Sequence, residues 1–319
     1  MQSGDDWFVA DWHLNHSNII KYCRRYEFMT DTERELVEMA DRGVIRSNEV
    51  KISPQTTARM TKAVLDNTNA VVNPGDRLWI IGDVFFAPKE KQVALAKQFR
   101  NSIKKGVEVR VIMGNHDDRE LIATHFADKY SQRAGETTEI FKDRCSRNGM
   151  RPNQSLVFDQ VLIRIDQQKI FLNHYPMRSW DCAHHGAWNL YGHVHDLFGD
   201  EDNGRLSPFF AAHYQDRFHG VLEEFTDLHH VSDDVKMEIV QKLMGVVADN
   251  NGVSLTLDVG VDNRVRGEGV PFGTPWSMAD LRKYFFSKMP KWKARQDEFR
   301  NFVPASAIKE GAENVNLMY

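Results

Sequence analysis

Five short clusters in the sequence carry residue types that can hold metal ions: Asp11-Trp12-His13, Gly82-Asp83, Gly114-Asn115-His116-Asp117, Asn173-His174 and Gly192-His193-Val194-His195. Together they offer carboxylates, imidazoles and one amide, a mixed oxygen and nitrogen set that suits Mn, Fe or Zn better than Ca or Mg. The Asp-x-His and His-x-His spacings place alternate side chains on the same side of an extended segment, so each pair can point into one cleft. The Asp83 carboxylate has two oxygens and can bridge two ions. Glycines at 82, 114 and 192 permit sharp turns beside these side chains. Two cations roughly 3.5–4 Å apart neutralise a phosphate ester and hold its attacking and leaving oxygens in line, and one ion alone lowers the pKa of a bound water to about 7. A metal-bridging hydroxide is then the nucleophile expected at neutral pH. That leaves His116 to stabilise developing charge or to protonate the leaving oxygen.

Each cluster alone has an ordinary explanation. Gly-Asp and Gly-Asn-His-Asp are common turn compositions, a lone Asp-x-His is a weak signal, and His174 before Tyr-Pro suits a capped core histidine. His193 and His195 are more specific as a pair. The case strengthens with the elements that must position them. Trp7-Phe8-Val9-Ala10, Leu78-Trp79-Ile80-Ile81, Val107 to Met113, Lys169 to Leu172 and Leu190-Tyr191 read as strands, and each runs into one of the clusters. Strand ends are where a layered fold gathers side chains from distant sequence positions. Residues 31–48, 55–70 and 88–104 are expected to be helices, the first capped by Asp31 or Thr32. Asn73-Pro74-Gly75-Asp76 is a turn. Val161 to Ile165 pairs with Lys169 to Leu172 as a hairpin, and Val253 to Val259 is a further strand. Ser277 is expected to cap a helix that runs to about residue 289 and stops at Pro290.

Composition narrows the class. The chain has 319 residues, 41% hydrophobic and 27% charged, with a net charge of −4. That length can bury one large core, and that charge gives no global positive field for nucleic acid. No apolar run is long enough to span a membrane. The start, Met1-Gln2-Ser3-Gly4-Asp5-Asp6, is polar and acidic, unlike a secretory signal. Cys23, Cys145 and Cys182 are scattered and odd in number, so no disulfide framework follows and a cytoplasmic location is expected.

The order D-x-H, GD, GNH-[DE], H and GH-x-H, from Phe8 to Asp262, resembles the calcineurin-like metallophosphoesterase superfamily. The runs Asp11-Trp12-His13-Leu14-Asn15-His16-Ser17-Asn18-Ile19-Ile20 and Leu257-Asp258-Val259-Gly260-Val261-Asp262 are similar to a group of small bacterial and phage phosphoesterases. The resemblance implies an α/β fold, a central two-sheet β-sandwich flanked by helices, with the metal site at one edge. It implies one metal on Asp11, His13, Asp83 and His195 and a second on Asp83, Asn115, His174 and His193, with His116 as the catalytic histidine and Asp117 as a loop-holding acid. The implied activity is dinuclear metal-dependent hydrolysis of a phosphomono- or phosphodiester, with manganese the expected ion in vitro. Protein Ser/Thr phosphatases of the superfamily continue GD-x-x-DRG. Here Gly82-Asp83-Val84-Phe85-Phe86-Ala87-Pro88 lacks both the acid and the arginine, so a protein phosphatase is not expected.

Residues 1–290 are read as the catalytic domain and 291–319 as a basic C-terminal tail. Residues 196–250 are read as an inserted helical or irregular subdomain, serving as a lid or an interaction surface for an oligomeric partner. Its first part, 196–234, holds ten Asp or Glu against two Arg, and a helix is expected from Ser232 to about Val247. His213 and His219 lie in this insertion without ligand spacing. From Leu281 onward eight Lys or Arg face four Asp or Glu, which reads first as a solvated terminal segment. His16, Asn18 and Arg119 are candidate substrate contacts, with support of the metal ligands and plain surface exposure as the alternatives. Trp180, His184 and His185 line the cleft or simply pack. The expected substrate is a small nucleotide-type phosphoester. A metal-dependent nuclease is the alternative, weakened by the acidic insertion, and a non-catalytic scaffold of the same fold is the third reading.

Overall fold

The chain is described here from a computed structural model, which covers residues 4–132, 135–177, 179–196, 254–263, 265, 267 and 269–301. Strands β1 (Asp6–Val9), β2 (Arg77–Ile81), β3 (Glu108–Ile112) and β4 (Val157–Phe158) are parallel neighbours in the order β4-β3-β2-β1. The late strand β9 (Trp276–Ser277) closes the other edge of β1 antiparallel. The second sheet has the order β5-β6-β7-β8, from β5 (Gln160–Ile165), β6 (Gln168–Asn173), β7 (Trp188–Tyr191) and β8 (Thr256–Asp258). Only its β5–β6 hairpin is antiparallel; β6, β7 and β8 run together.

The period of two along each strand sorts the core. Val9, Leu78, Ile80, Val109 and Val111 pack with Val64, Leu65, Ala96, Phe99 and Ile122. These partners come from helices α3 (Pro54–Val71), α4 (Gln92–Ser102) and α5 (Arg119–His125). The alternate residues Phe8, Ala10, Trp79, Ile81 and Ile112 pack with Ile170, Leu172, Leu190 and Leu257 of the second sheet, and with Leu281 and Phe285 of helix α7 (Met278–Asn301). The architecture is therefore two mixed sheets flanked by helices, an α/β arrangement. Smaller clusters join α1 (Ser17–Tyr22) and α2 (Asp31–Asp41) to α3, and bury one side of α6 (Thr138–Arg147).

Several local expectations are corrected. Helix α2 is capped by Thr30, not by Asp31 or Thr32: Thr30 accepts from the Glu33 N–H while Glu33 accepts from the Thr30 N–H, a reciprocal capping box. It ends at Asp41, short of residue 48, and Gly43 follows with φ 72°. Pro290 does not stop α7, which runs through it to Asn301. Met289 and Trp292, on either side of Pro290, both pack against the second core cluster. The proposed boundary at 290/291 thus falls inside a helix. Apart from Asp196, the insertion 196–250, its expected helix, His213 and His219 lie outside the described residues, as does the tail beyond Asn301. No helix among the described residues is long and apolar enough to cross a membrane.

Beyond β1 and β8 the two sheets are also joined by backbone hydrogen bonds. The Ala10 N–H donates to the Val259 carbonyl and the Val261 N–H donates to the Ala10 carbonyl, both at 3.1 Å, forming a parallel bridge between Ala10 and Gly260. All the metal-type clusters lie beyond strand ends on this side.

Candidate metal centre

Asp11 and His13 follow β1, Asp83 follows β2, Asn115 and His116 follow β3, His174 follows β6, and His193 and His195 follow β7. The backbone here is not extended. Asp11 (φ 56°), His13 (47°), Asp83 (55°), His193 (72°) and His195 (50°) are all left-handed. Non-glycine residues visit that region at a steric cost, which clusters at functional sites. The paired side chains therefore converge through alternating left-handed residues, not through strand alternation as the spacing suggests. Hydrogen bonds hold this path: the His13 N–H donates to the Asp83 carbonyl (2.9 Å) and the Asp11 N–H to the Gly82 carbonyl (3.1 Å).

The glycines serve two roles. Gly82 has both: its φ is 84°, which makes the expected turn, and a Cβ there would lie 2.1 Å from His174 Nδ1. Gly114 and Gly192 are needed for close approach alone. A Cβ at Gly114 would lie 2.2 Å from Asp83 Oδ1, and one at Gly192 would lie 2.6 Å from Asp11 Oδ2.

Three groups of donor atoms result among the described residues; one, Cys23 with His195 and Asp262, shares His195, and the other two hold the expected ligands. Asp11, His13 and His195 form one, and Asp83, His174 and His193 the other, with the ligand atoms of each within 4.8 Å of one another. Asp83 links them: its Oδ2 is 3.3 Å from His13 Nε2 and 3.5 Å from His174 Nε2. The Asn115 side-chain oxygen joins the second group, 2.9 Å from His193 Nδ1 and 3.1 Å from His174 Nε2. The ring tautomers are set from behind. His174 Nδ1 lies 2.9 Å from the Ile81 carbonyl and must donate to it, which turns Nε2 toward Asp83 and Asn115 as the nitrogen a cation would use. His195 Nδ1 faces Asp262 Oδ2 at 2.7 Å.

The electrostatics are those of charges brought together. Burial pushes the Asp11 carboxyl up to about 7, against the pull of His195. Burial would raise Asp83 too, but hydrogen bonding and charge from His174, then His13, hold it well below the usual carboxylate range. His174 is raised to about 9, because Asp83 and Asp11 outweigh its burial. His13 is driven down by burial and by the neighbouring His195 and Arg25. His13 Nε2 is a buried ring nitrogen with no hydrogen-bond partner, directed toward Asp83. An unpartnered buried nitrogen, two buried carboxylates and a mixed N/O donor set are what a pair of divalent cations would satisfy.

His116 lies beside this centre and is exposed. Its N–H donates to Asp83 Oδ1 (3.0 Å), and its ring lies 5.5 Å from that of His13. Asp117 accepts from the N–H groups of Asp83, Val84 and Gly114, each at 2.9 Å, and so ties two donor-bearing loops together. His16 borders the centre, with Nδ1 3.4 Å from His13 Nδ1, and burial followed by the nearby His116 lowers it to about 4. Asn18 is exposed on α1. Arg119 opens α5 and forms an exposed ion pair with Asp159. Trp180 donates to the Ala187 carbonyl (3.0 Å), and the His184 and His185 rings contact each other; neither histidine is in the metal-capable groups among the described residues.

Four residues escaped sequence reading. Arg25 is fully buried and donates to both oxygens of Asp262 (2.8 and 2.7 Å) and to the Asp11 carbonyl (3.2 Å). Asp262, the last residue of the closing-strand run, therefore braces His195 as well as Arg25. The signal available was an acid ending an apolar run, as in the other clusters. The exposed rings of Phe86 and Tyr175 rest on His16 and His193, with centroids 4.7 Å apart in each pair.

Comparison with known proteins gives one family. Residues 7–234 match the family described as calcineurin-like phosphoesterase. No curated protein sequence matches the chain. Among solved structures, that of a protein of unknown function, AQ665 from Aquifex aeolicus, is similar at 14% identity, covering 88% of this chain and 99% of that one, with a TM-score of 0.39. That likeness carries no argument about function.

Proposed function

The chain belongs to the calcineurin-like phosphoesterase family, a hydrolase family acting on phosphoesters, and from that premise we propose that it hydrolyses a small nucleotide-type phosphoester at the cluster around Asp83. Asp11, His13, Asp83 and His195 would hold one divalent cation, and Asp83, Asn115, His174 and His193 the other. Such cations, when bound, screen the phosphate charge, align the attacking and leaving oxygens and make a water acidic enough to react near pH 7. The observation that carries the reading is Asp83 Oδ2, within 3.5 Å of an imidazole nitrogen from each donor group.

The protein's own groups supply the rest. His116, exposed beside Asp83 with its backbone N–H donating to Asp83 Oδ1, would give a proton to the leaving oxygen. Asp117 keeps the Asp83 and Gly114 loops in register, so the donors need little reorganisation on binding. His16 and Asn18 lie on the approach from α1. Arg119 would reach phosphate only by leaving Asp159, a small cost for an exposed pair.

The test is a panel of mono-, cyclic and dinucleotides with single-stranded DNA, assayed with Mn²⁺, with Fe²⁺, with Zn²⁺ and with chelator. Chelator-sensitive turnover of the small esters is expected. Cleavage confined to DNA and falling steeply with salt would replace this reading with a nuclease. No turnover with any ion would make the fold a scaffold.

A further inference from the structure

We infer that Phe86 is the surface on which the leaving half of the substrate packs, and that the alcohol released carries a flat aromatic ring, as an aryl group or as the base of a nucleoside, in place of a purely alkyl or sugar alcohol. The inference rests on the hydrolase reading above and adds the chemistry of the group released.

Phe85 and Phe86 are neighbours with opposite fates. Phe85 is in the first core cluster, packed edge-on against Phe99. Phe86 points outward and is 48% exposed. A single exposed phenylalanine is unremarkable on a protein surface. This one is held by the loop that bears the candidate ligands: its N–H donates to the Leu14 carbonyl (2.9 Å), and its carbonyl accepts from Asn15 Nδ2 (3.0 Å). Its ring stacks on His16 at 4.7 Å and 23° between planes, and the His16 ring lies 6.2 Å from that of His116. Phe86 and His116 also line the same small pocket, of about 80 Å³.

The position of His116 gives the direction. A group that protonates the leaving oxygen lies on the leaving side of the phosphorus, so the surface next to it meets the leaving half. An aromatic face backed by a parallel imidazole and held at both backbone groups is a stacking platform. Such platforms favour planar rings over saturated ones of similar size, because the ring quadrupole and flat contact are lost against a puckered ring. Tyr175, 46% exposed and in ring contact with His193 and His174, offers a second aromatic surface beside the other donor group.

The experiment compares phenyl and cyclohexyl phosphate, and the corresponding methyl diesters, with the Mn²⁺-loaded wild type, Phe86→Leu and Phe86→Trp. Each substrate's variant-to-wild-type ratio cancels the differing reactivity of the two leaving groups. Phe86→Leu should lower the phenyl-to-cyclohexyl ratio of kcat/KM about tenfold, mainly through KM, and Phe86→Trp should retain or raise it. The same ratio in wild type and Phe86→Leu would overturn the inference. A second arm measures binding of adenosine 5′-phosphate and ribose 5-phosphate by calorimetry. If no ester is turned over, the hydrolase reading falls alone, and this arm still decides the platform. Selective weakening of the adenosine ligand in Phe86→Leu supports it, and equal effects on both ligands refute it.

Discussion

Oδ2 of Asp262 lies 2.7 Å from Nδ1 of His195 and also 2.7 Å from Nη2 of Arg25. One carboxylate thus fixes the ring of a candidate ligand and neutralises a guanidinium with no exposed surface. Such a partner orients the imidazole and leaves its Nε2 for an ion. Asp262→Asn keeps the shape and removes the charge, so Arg25 is left buried without compensation. Stability should fall by about 3 kcal/mol, and metal affinity by about 10- to 100-fold. Urea unfolding and calorimetric titration with Mn²⁺ read the two effects separately. An unchanged affinity would show that His195 does not need this brace.

Asp83→Asn should leave the fold intact, because the substituted amide fills the same space, and should abolish coupling between the two donor groups. Metal content measured after dialysis should drop, and any phosphoesterase activity should fall by more than about 100-fold. Full activity in this variant would remove the basis of the proposed function.

Gly114→Ala separates space from backbone strain. Its Cβ would lie 2.2 Å from Asp83 Oδ1, so Asp83 must move, at a cost of about 1–3 kcal/mol and with weaker metal binding. Gly43→Ala is the contrasting case: φ there is 72° and nothing lies within 4 Å of the new Cβ. That variant should lose about 1 kcal/mol and bind metal as before. Equal metal affinity in both variants would contradict the close-approach role of Gly114.

Bound cations should stabilise the fold, since they bind donors that only the native chain brings together. Mn²⁺ at a hundred times its Kd should add about 2.7 kcal/mol, read as a rise in Tm that chelator reverses. A Tm indifferent to metal and chelator would argue against the centre.

Acid should act on Glu33, far from the metal centre. Burial would raise its carboxyl, but the N–H groups of Ser53 and Thr30 and the Thr56 hydroxyl hold it down to about 2. A carboxylate depressed in the folded state contributes stability above its unfolded pKa of about 4.3, and that contribution disappears as pH falls toward 2. Glu33→Gln should therefore cost about 2 kcal/mol at pH 7, with the gap to wild type closing between pH 4 and pH 2. A pH-independent gap in urea unfolding would show that the hydrogen bonds, not the charge, carry the effect.

The donor clusters were legible because each ends an apolar run, and a strand-forming run such as Leu78-Trp79-Ile80-Ile81 delivers the chain to the sheet end where the cluster begins. The local geometry was not legible. Asp-x-His reads as strand alternation, whereas Asp11 and His13 reach their places through left-handed backbone, which no propensity for these residues suggests. The short helices α1, α5 and α6 were missed because six to ten residues carry too few turns to show a periodic stripe. Arg25 was invisible for another reason. A charged residue reads as surface, and its partner Asp262 is 237 positions away.

That separation bears on how the protein is made. Asp11, His13 and the five other donors are all translated by residue 195, yet β8 and Asp262 emerge only after the long stretch that follows. Until then Arg25 lacks its ion-pair partner and Ala10 has no Gly260 to pair with, so a nascent chain holding every donor still lacks this backbone bridge between its two sheets. The brace behind His195 is thus complete only once residue 262 has been made.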